Sequence, residues 1–156
     1  MKKLLLFCCL VSATFGQCNT TCFDFLVRFE GYKTTPYRLN GVWHVGIGHK
    51  FVVGEPIREY TDEEVLALFV SDVERAKRAA QRKIQSFYSH PEKIRLVLIS
   101  LAYNVGDKGF EKFVKFRAAM ERGDYAMAAK ELENSLWFNQ LPERARHHIA
   151  VIKEFS

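Results

Sequence analysis

Glu30 ends a run in which the apolar residues Phe23, Phe25, Leu26 and Phe29 fall at helical spacing, and Gly31 follows it. This pattern predicts a helix that stops at Gly31 with Glu30 in its last turn. The helix macrodipole exposes carbonyl oxygens there and disfavours a negative charge. A carboxyl so placed holds its proton more readily unless a cation compensates, which is the property of a general acid. A solvated surface glutamate is the plainer reading of the same position. Two-carboxylate chemistry would need a partner nearby, yet the next ribbon, Tyr37 to Phe51, contains no acid.

The elements that must position Glu30 can be read in order. Tyr37 to Phe51 is rich in Val, Ile, Trp and Tyr and is broken by Asn40-Gly41, a two-residue hairpin signal. In its second strand Gly46 and Gly48 alternate with Val45 and Ile47, leaving one face bare for the close approach of another surface. Thr61 to Glu64 forms a capping box, and Val65, Leu68, Phe69, Val73 and Ala76 then follow one face of a long helix toward Ile84. Its charged residues Glu74, Arg75, Lys77, Arg78, Arg82 and Lys83 read as a solvated exterior. After His90-Pro91 the run LVLISLAYNVG predicts a helix buried on most sides. Phe110 to Glu121, Asp124 to Asn134 with Asp124 as cap, and Pro142 to Phe155 predict three more. The expected fold class is α+β, mostly α, with a small β-hairpin lobe and a helical lobe joined by the long helix.

Residues 1–16 read as a secretory signal, with Lys2 and Lys3 before an apolar run to Phe15 and small residues suited to cleavage. The run is short for a bilayer span, and a signal anchor is the alternative. One domain, residues 17–156, is expected to follow, soluble and secreted, or periplasmic in a bacterial or phage setting, and monomeric. Loss of the two lysines lowers the formal charge of +5 by two. The mild basicity suits an anionic polymer such as a bacterial cell wall and falls far short of a nucleic-acid stripe. Of four cysteines, Cys18 and Cys22 remain, and an oxidising compartment predicts a local Cys18–Cys22 disulfide rather than two free thiols. Asn19 heads a glycosylation sequon.

With Glu30-Gly31 at a helix end, Tyr37 seven residues later and a hairpin closing on Gly46-Ile47-Gly48-His49, the chain resembles the phage-type lysozymes, glycoside hydrolase family 24, most of all in their T-even branch. The resemblance is carried by Glu30-Gly31, Tyr37, Gly46-Ile47-Gly48-His49, Leu68 to Val73, Gly109-Phe110 and Trp137-Phe138-Asn139-Gln140-Leu141-Pro142-Glu143-Arg144-Ala145. It implies a bilobal enzyme that hydrolyses the β-1,4 bond between N-acetylmuramic acid and N-acetylglucosamine in peptidoglycan, bound in a cleft, with no cofactor. It further implies Glu30 as general acid, Arg144 as the cation paired with it, and Tyr103 and Glu131 as sugar-contacting residues.

Two departures from the family pattern concern the second catalytic group. Leu39 stands where the family has Asp, and His44 stands where it has Thr on the strand before Gly-x-Gly. Leucine can neither activate water nor attack an anomeric carbon. Imidazole can act as base or nucleophile, so His44 is the candidate, with Asn40 assisting by orienting water. A strand histidine facing solvent or stacked on Trp43 is the structural alternative. Two functions therefore stand: a lysozyme with altered machinery, or a non-catalytic descendant that binds glycan or another partner. A metal site is not expected, because His147 and His148 diverge on a helix and His44 and His49 lack thiolate or carboxylate companions.

Overall fold

The first described element follows directly from the apolar spacing around Phe25 and Leu26. In the computed structural model, which describes residues 20–156, α1 runs Thr20–Glu30 and ends where Gly31 takes a φ of 72° and donates its N–H to Val27 O at 3.1 Å. Glycine fits there because a left-handed C-terminal cap is strained for any residue with a Cβ. The signal segment, Asn19 and Cys18 lie outside the described residues, and so does the Cys18–Cys22 pairing.

The chain divides into two compact units, meeting in sequence at Ser71 and Asp72. The first unit contains α1 and a three-stranded antiparallel sheet in the order β1 (Lys33–Leu39), β2 (Val42–Gly46) and β3 (His49–Lys50). Asn40, at φ 49°, and Gly41, at φ 78°, make the β1–β2 turn, as the hairpin signal predicts. The register pairs Leu39 with Val42, Arg38 with Trp43 and Tyr37 with His44, and it shifts between Lys33 and Tyr37. Pro36 lies in that shifted stretch and has no N–H to give the ladder.

The Gly46-Ile47-Gly48 stretch corrects the expectation of a strand with one bare face. β2 ends at Gly46, and Gly46 and Gly48 adopt φ values of 66° and 78° to turn the chain into β3. The close approach does occur: a Cβ on Gly46 would lie 2.8 Å from Val65 Cγ1. Gly46→Ala therefore combines left-handed strain with overpacking and should cost roughly 2–4 kcal/mol. Gly41→Ala, with the same backbone strain and nothing within 4 Å of the added carbon, should cost only about 1–2 kcal/mol. Denaturant unfolding of both variants measures the difference. Equal losses would show that Val65 does not limit this turn.

The long helix α2 (Asp62–Lys83) starts on the predicted capping box, Glu64 N donating to Thr61 Oγ1 at 3.2 Å and Thr61 N to Glu64 Oε2 at 2.9 Å. The boundary between the two units falls within it. In the second unit a 3₁₀ turn (Phe87–Ser89) precedes α3 (Glu92–Glu111), α4 (Val114–Glu121), α5 (Tyr125–Glu133), α6 (Leu136–Gln140) and α7 (Pro142–Lys153). The expected Phe110–Glu121 helix is thus divided, and α6 is an addition. α3 buries Ile94, Val97, Leu98 and Leu101 and kinks at Gly106, whose φ of 71° and ψ of 172° are not helical. Arg117 donates to Lys83 O at 3.2 Å and to Glu111 O at 2.9 Å, placing a cation on the carbonyl ends of α2 and α3. No described helix is long and apolar enough to cross a membrane. The fold class is α+β, mostly α, as expected.

Candidate active site

The first unit holds Glu30, Tyr37, Leu39, Asn40, His44 and His49, all singled out by sequence. Glu30, the last residue of α1, is half-buried, and its carboxylate lies against the β2–β3 turn: a Cβ on Gly48 would stand 3.0 Å from Glu30 Oε2. Gly48 thus serves the acid twice, by adopting a positive φ and by leaving room for the carboxylate. Tyr37 is close enough to feel the same charge; burial, and then the Glu30 carboxylate, raise its phenol above the ordinary range. Lys33 Nζ sits 4.6 Å from the centre of the Tyr37 ring.

His44 stacks on Tyr37, with ring centres 5.6 Å apart and planes at 22°. This differs from the stacking on Trp43 considered from sequence, and the register gives the reason. Tyr37 and His44 are cross-strand partners on one face, whereas Trp43 is on the other face and carries Arg38 at 5.0 Å. His44 Nδ1 is 3.0 Å from Val42 O. A carbonyl can only accept, so Nδ1 bears the hydrogen and the neutral ring presents a lone pair at Nε2. Leu39 and Asn40 are exposed at the hairpin tip, Leu39 at 55% of its full accessible surface, and Asn40 supplies a positive φ to the turn.

His49 corrects a sequence reading. It has a carboxylate companion, since Nε2 lies 3.1 Å from Glu55 Oε2, which also accepts Val52 N–H at 2.8 Å. The loop after β3 folds back within six residues to bring Glu55 there. Among the described residues no group of three or more His, Cys, Asp or Glu side chains is arranged to hold a metal.

In the second unit Arg144 is buried in α7, where Nη2 lies 3.2 Å from Ser100 Oγ and 3.4 Å from Ser100 O. His148, one turn on, is fully buried and reaches Ser100 Oγ through Nε2 at 3.0 Å. Tyr103, half-buried, follows Ser100 by one turn of α3, and Glu131 is half-exposed on α5. Sequence reading missed Ser100 and His148; the one available signal was the four-residue spacing of Arg144 and His148, which puts both on one helix face.

Desolvation, and then the Arg144 charge, push the His148 imidazole down to about 3, partly opposed by its bond to the Arg144 carbonyl, with the His147 charge a smaller addition. The unfolded chain binds a proton at this ring near pH 6.5 and the folded chain does not until near pH 3, so stability is full above the first value and falls as pH drops toward the second. Each pH unit in that window should remove up to about 1.4 kcal/mol, read from urea midpoints. His90, whose buried ring is likewise pushed down, acts in the same direction. A stability that stays flat from neutrality to pH 4 would contradict this.

The chain belongs to the phage lysozyme family: the family model described as Phage lysozyme matches residues 27–145. Among curated proteins it is similar to "Probable T4-type lysozyme 1" of Dictyostelium discoideum, 31% identical over 113 residues, which are 69% of this chain and 65% of that protein. It is also similar to "Probable T4-type lysozyme 2" of the same organism, 25% identical over 156 residues, covering 83% of this chain and 92% of that protein. The match spans slightly less than two thirds of the first relative's length.

Proposed function

We propose that the protein is a peptidoglycan hydrolase that cleaves the β-1,4 bond between N-acetylmuramic acid and N-acetylglucosamine. The observation that carries this reading is the seating of Glu30 against Gly48, in the same unit as a His44 whose Nε2 is left as an acceptor. Family membership supplies the substrate class. Glu30 gives its proton to the leaving O4 of N-acetylglucosamine as the bond to the muramic acid C1 breaks. His44 Nε2 takes the second role, either accepting a proton from the water that attacks C1 or attacking C1 itself. The family resemblance offers Arg144 as a supporting cation and Tyr103 and Glu131 as sugar-contacting residues, and Asn40 is suited to orienting water. Secretion, expected from the leader-like first residues, belongs to the same reading, as does the Cys18–Cys22 disulfide.

Leu39 favours a second reading. It replaces the family's acid with an exposed aliphatic group, as a glycan-binding or interaction protein without turnover could tolerate. Clearing of a suspension of purified bacterial walls by the isolated protein separates the two. Clearing supports the hydrolase; saturable wall binding with no loss of turbidity supports the second reading.

A further inference from the structure

Three buried polar residues of the second unit form a closed circuit. His148 Nδ1 is 2.8 Å from the main-chain oxygen of Arg144. Since that oxygen only accepts, Nδ1 carries the ring hydrogen. Ser100 Oγ lies 3.0 Å from His148 Nε2 and 3.2 Å from Arg144 Nη2, which only donates. One assignment satisfies all three contacts: Arg144 N–H donates to Ser100 Oγ, the Ser100 hydroxyl to His148 Nε2, and His148 Nδ1–H to the Arg144 carbonyl. Each bond polarises the next, and the side chain of Arg144 is thereby tied to its own backbone through two other residues.

We propose that His148 is a positioning residue for Arg144, fixing the guanidinium through the Ser100 hydroxyl and doing so only as the neutral ring with hydrogen on Nδ1. The importance of this for turnover rests on the reading of Arg144 under "Proposed function"; the circuit itself does not. A protonated ring would turn Nε2 into a donor aimed at the oxygen that Arg144 already uses, displace the serine hydrogen and set two cations side by side.

The groups facing His148 favour the neutral form. On its own helix these are Arg144 and His147, whose charges both oppose protonation. From α6 the Trp137 ring stands edge-on, its centre 5.4 Å away, with its Nε1–H donated to Asn104 of α3. α3 otherwise offers the Ser100 hydroxyl, with Tyr103 one turn along. On α5, Ala128, Ala129 and Leu132 are buried, Lys130 is exposed, Glu131 is half-exposed, and Glu133 pairs with Lys153 at 2.7 Å.

Long-range ¹H–¹⁵N correlation spectra of the full chain, with the Arg144 Nη signals followed in parallel, test the proposal. His148 should show a protonated Nδ1 and a bare Nε2 from about pH 8 to about pH 5, a range in which an ordinary histidine becomes charged. Arg144 should give separate, slowly exchanging Nη signals that shift and exchange faster in Ser100→Ala, which removes the hydroxyl but keeps the main-chain oxygen 3.4 Å from Nη2, and in His148→Phe. Hydrogen on Nε2, a charged ring at neutral pH, or Nη signals unchanged in Ser100→Ala would each overturn the proposal. If a variant does not fold, the tautomer of the unaltered chain still decides. The wall-clearing rate should fall in Ser100→Ala while the half-saturating wall concentration holds. Spectra as expected in a protein that clears no wall would leave the circuit standing and remove the hydrolase reading, whereas the opposite pair of results would remove the circuit alone.

Discussion

Glu30→Gln should lower the rate of wall clearing by about 10²–10⁴-fold, the contribution of a positioned general acid. The amide has nearly the size of the carboxyl and can occupy the same seat against Gly48, so the fold should survive. What it cannot do is release a proton to the leaving oxygen. The neighbouring phenol gives an independent check on geometry. Burial and the Glu30 carboxylate both raise Tyr37, so replacing the charge by an amide should bring the tyrosine titration partway back toward its ordinary value while the burial effect remains. Clearing by Glu30→Gln at the unaltered rate would remove Glu30 from the chemistry.

His44→Ala carries the second large effect, a loss of about 10²–10⁴-fold if imidazole serves as base or nucleophile. The strand fixes the tautomer, because Val42 O takes the Nδ1 hydrogen and the Tyr37 ring holds the imidazole plane, leaving Nε2 to act. Leu39→Asp combined with His44→Thr should restore turnover by returning the family pair to the hairpin. Product stereochemistry separates the two roles: direct attack through a covalent intermediate gives retention, and a water activated by imidazole gives inversion. Full activity in His44→Ala would show that imidazole has no part. Asn40, at the exposed tip of the hairpin, would then be the next residue to vary.

The parts of this molecule that sequence reading reaches are those decided by neighbours along the chain. Gly31 stops α1, Asn40-Gly41 turns the hairpin, Thr61 and Glu64 open α2, and Asp124 accepts from Met127 N to open α5. Each is a backbone group satisfied within a few residues, so the residue type and the geometry are tied together. Gly46-Ile47-Gly48 misled because glycine alternating with a β-branched residue looks alike in an extended strand and in a turn; only the positive φ values distinguish them. α6 was missed because five residues are too few for a period, and its one signal, Ser135 accepting from Phe138 N, lies in a run dominated by aromatic residues.

For the candidate site, the place of Glu30 at the end of α1 was legible through Gly31, and the His44–Tyr37 stack was within reach. A two-residue turn at Asn40-Gly41 dictates that Tyr37 faces His44. The Ser100–Arg144–His148 circuit was out of reach because Ser100 is separated from its partners by 44 and 48 positions and buried in a helix whose sequence reads as uniformly apolar. Glu55 became a partner of His49 through a loop that carries no period of its own.

Muramidase action is measured most directly by the identity of the new reducing end made when the isolated protein is incubated with purified peptidoglycan, followed by borohydride reduction and mass spectrometry. A muramidase leaves N-acetylmuramic acid as the reducing sugar, so reduced muramic ends should accumulate with time and be absent with Glu30→Gln. Reduced glucosamine ends, released peptides without new reducing sugars, or an undigested polymer that still binds the protein would contradict the account.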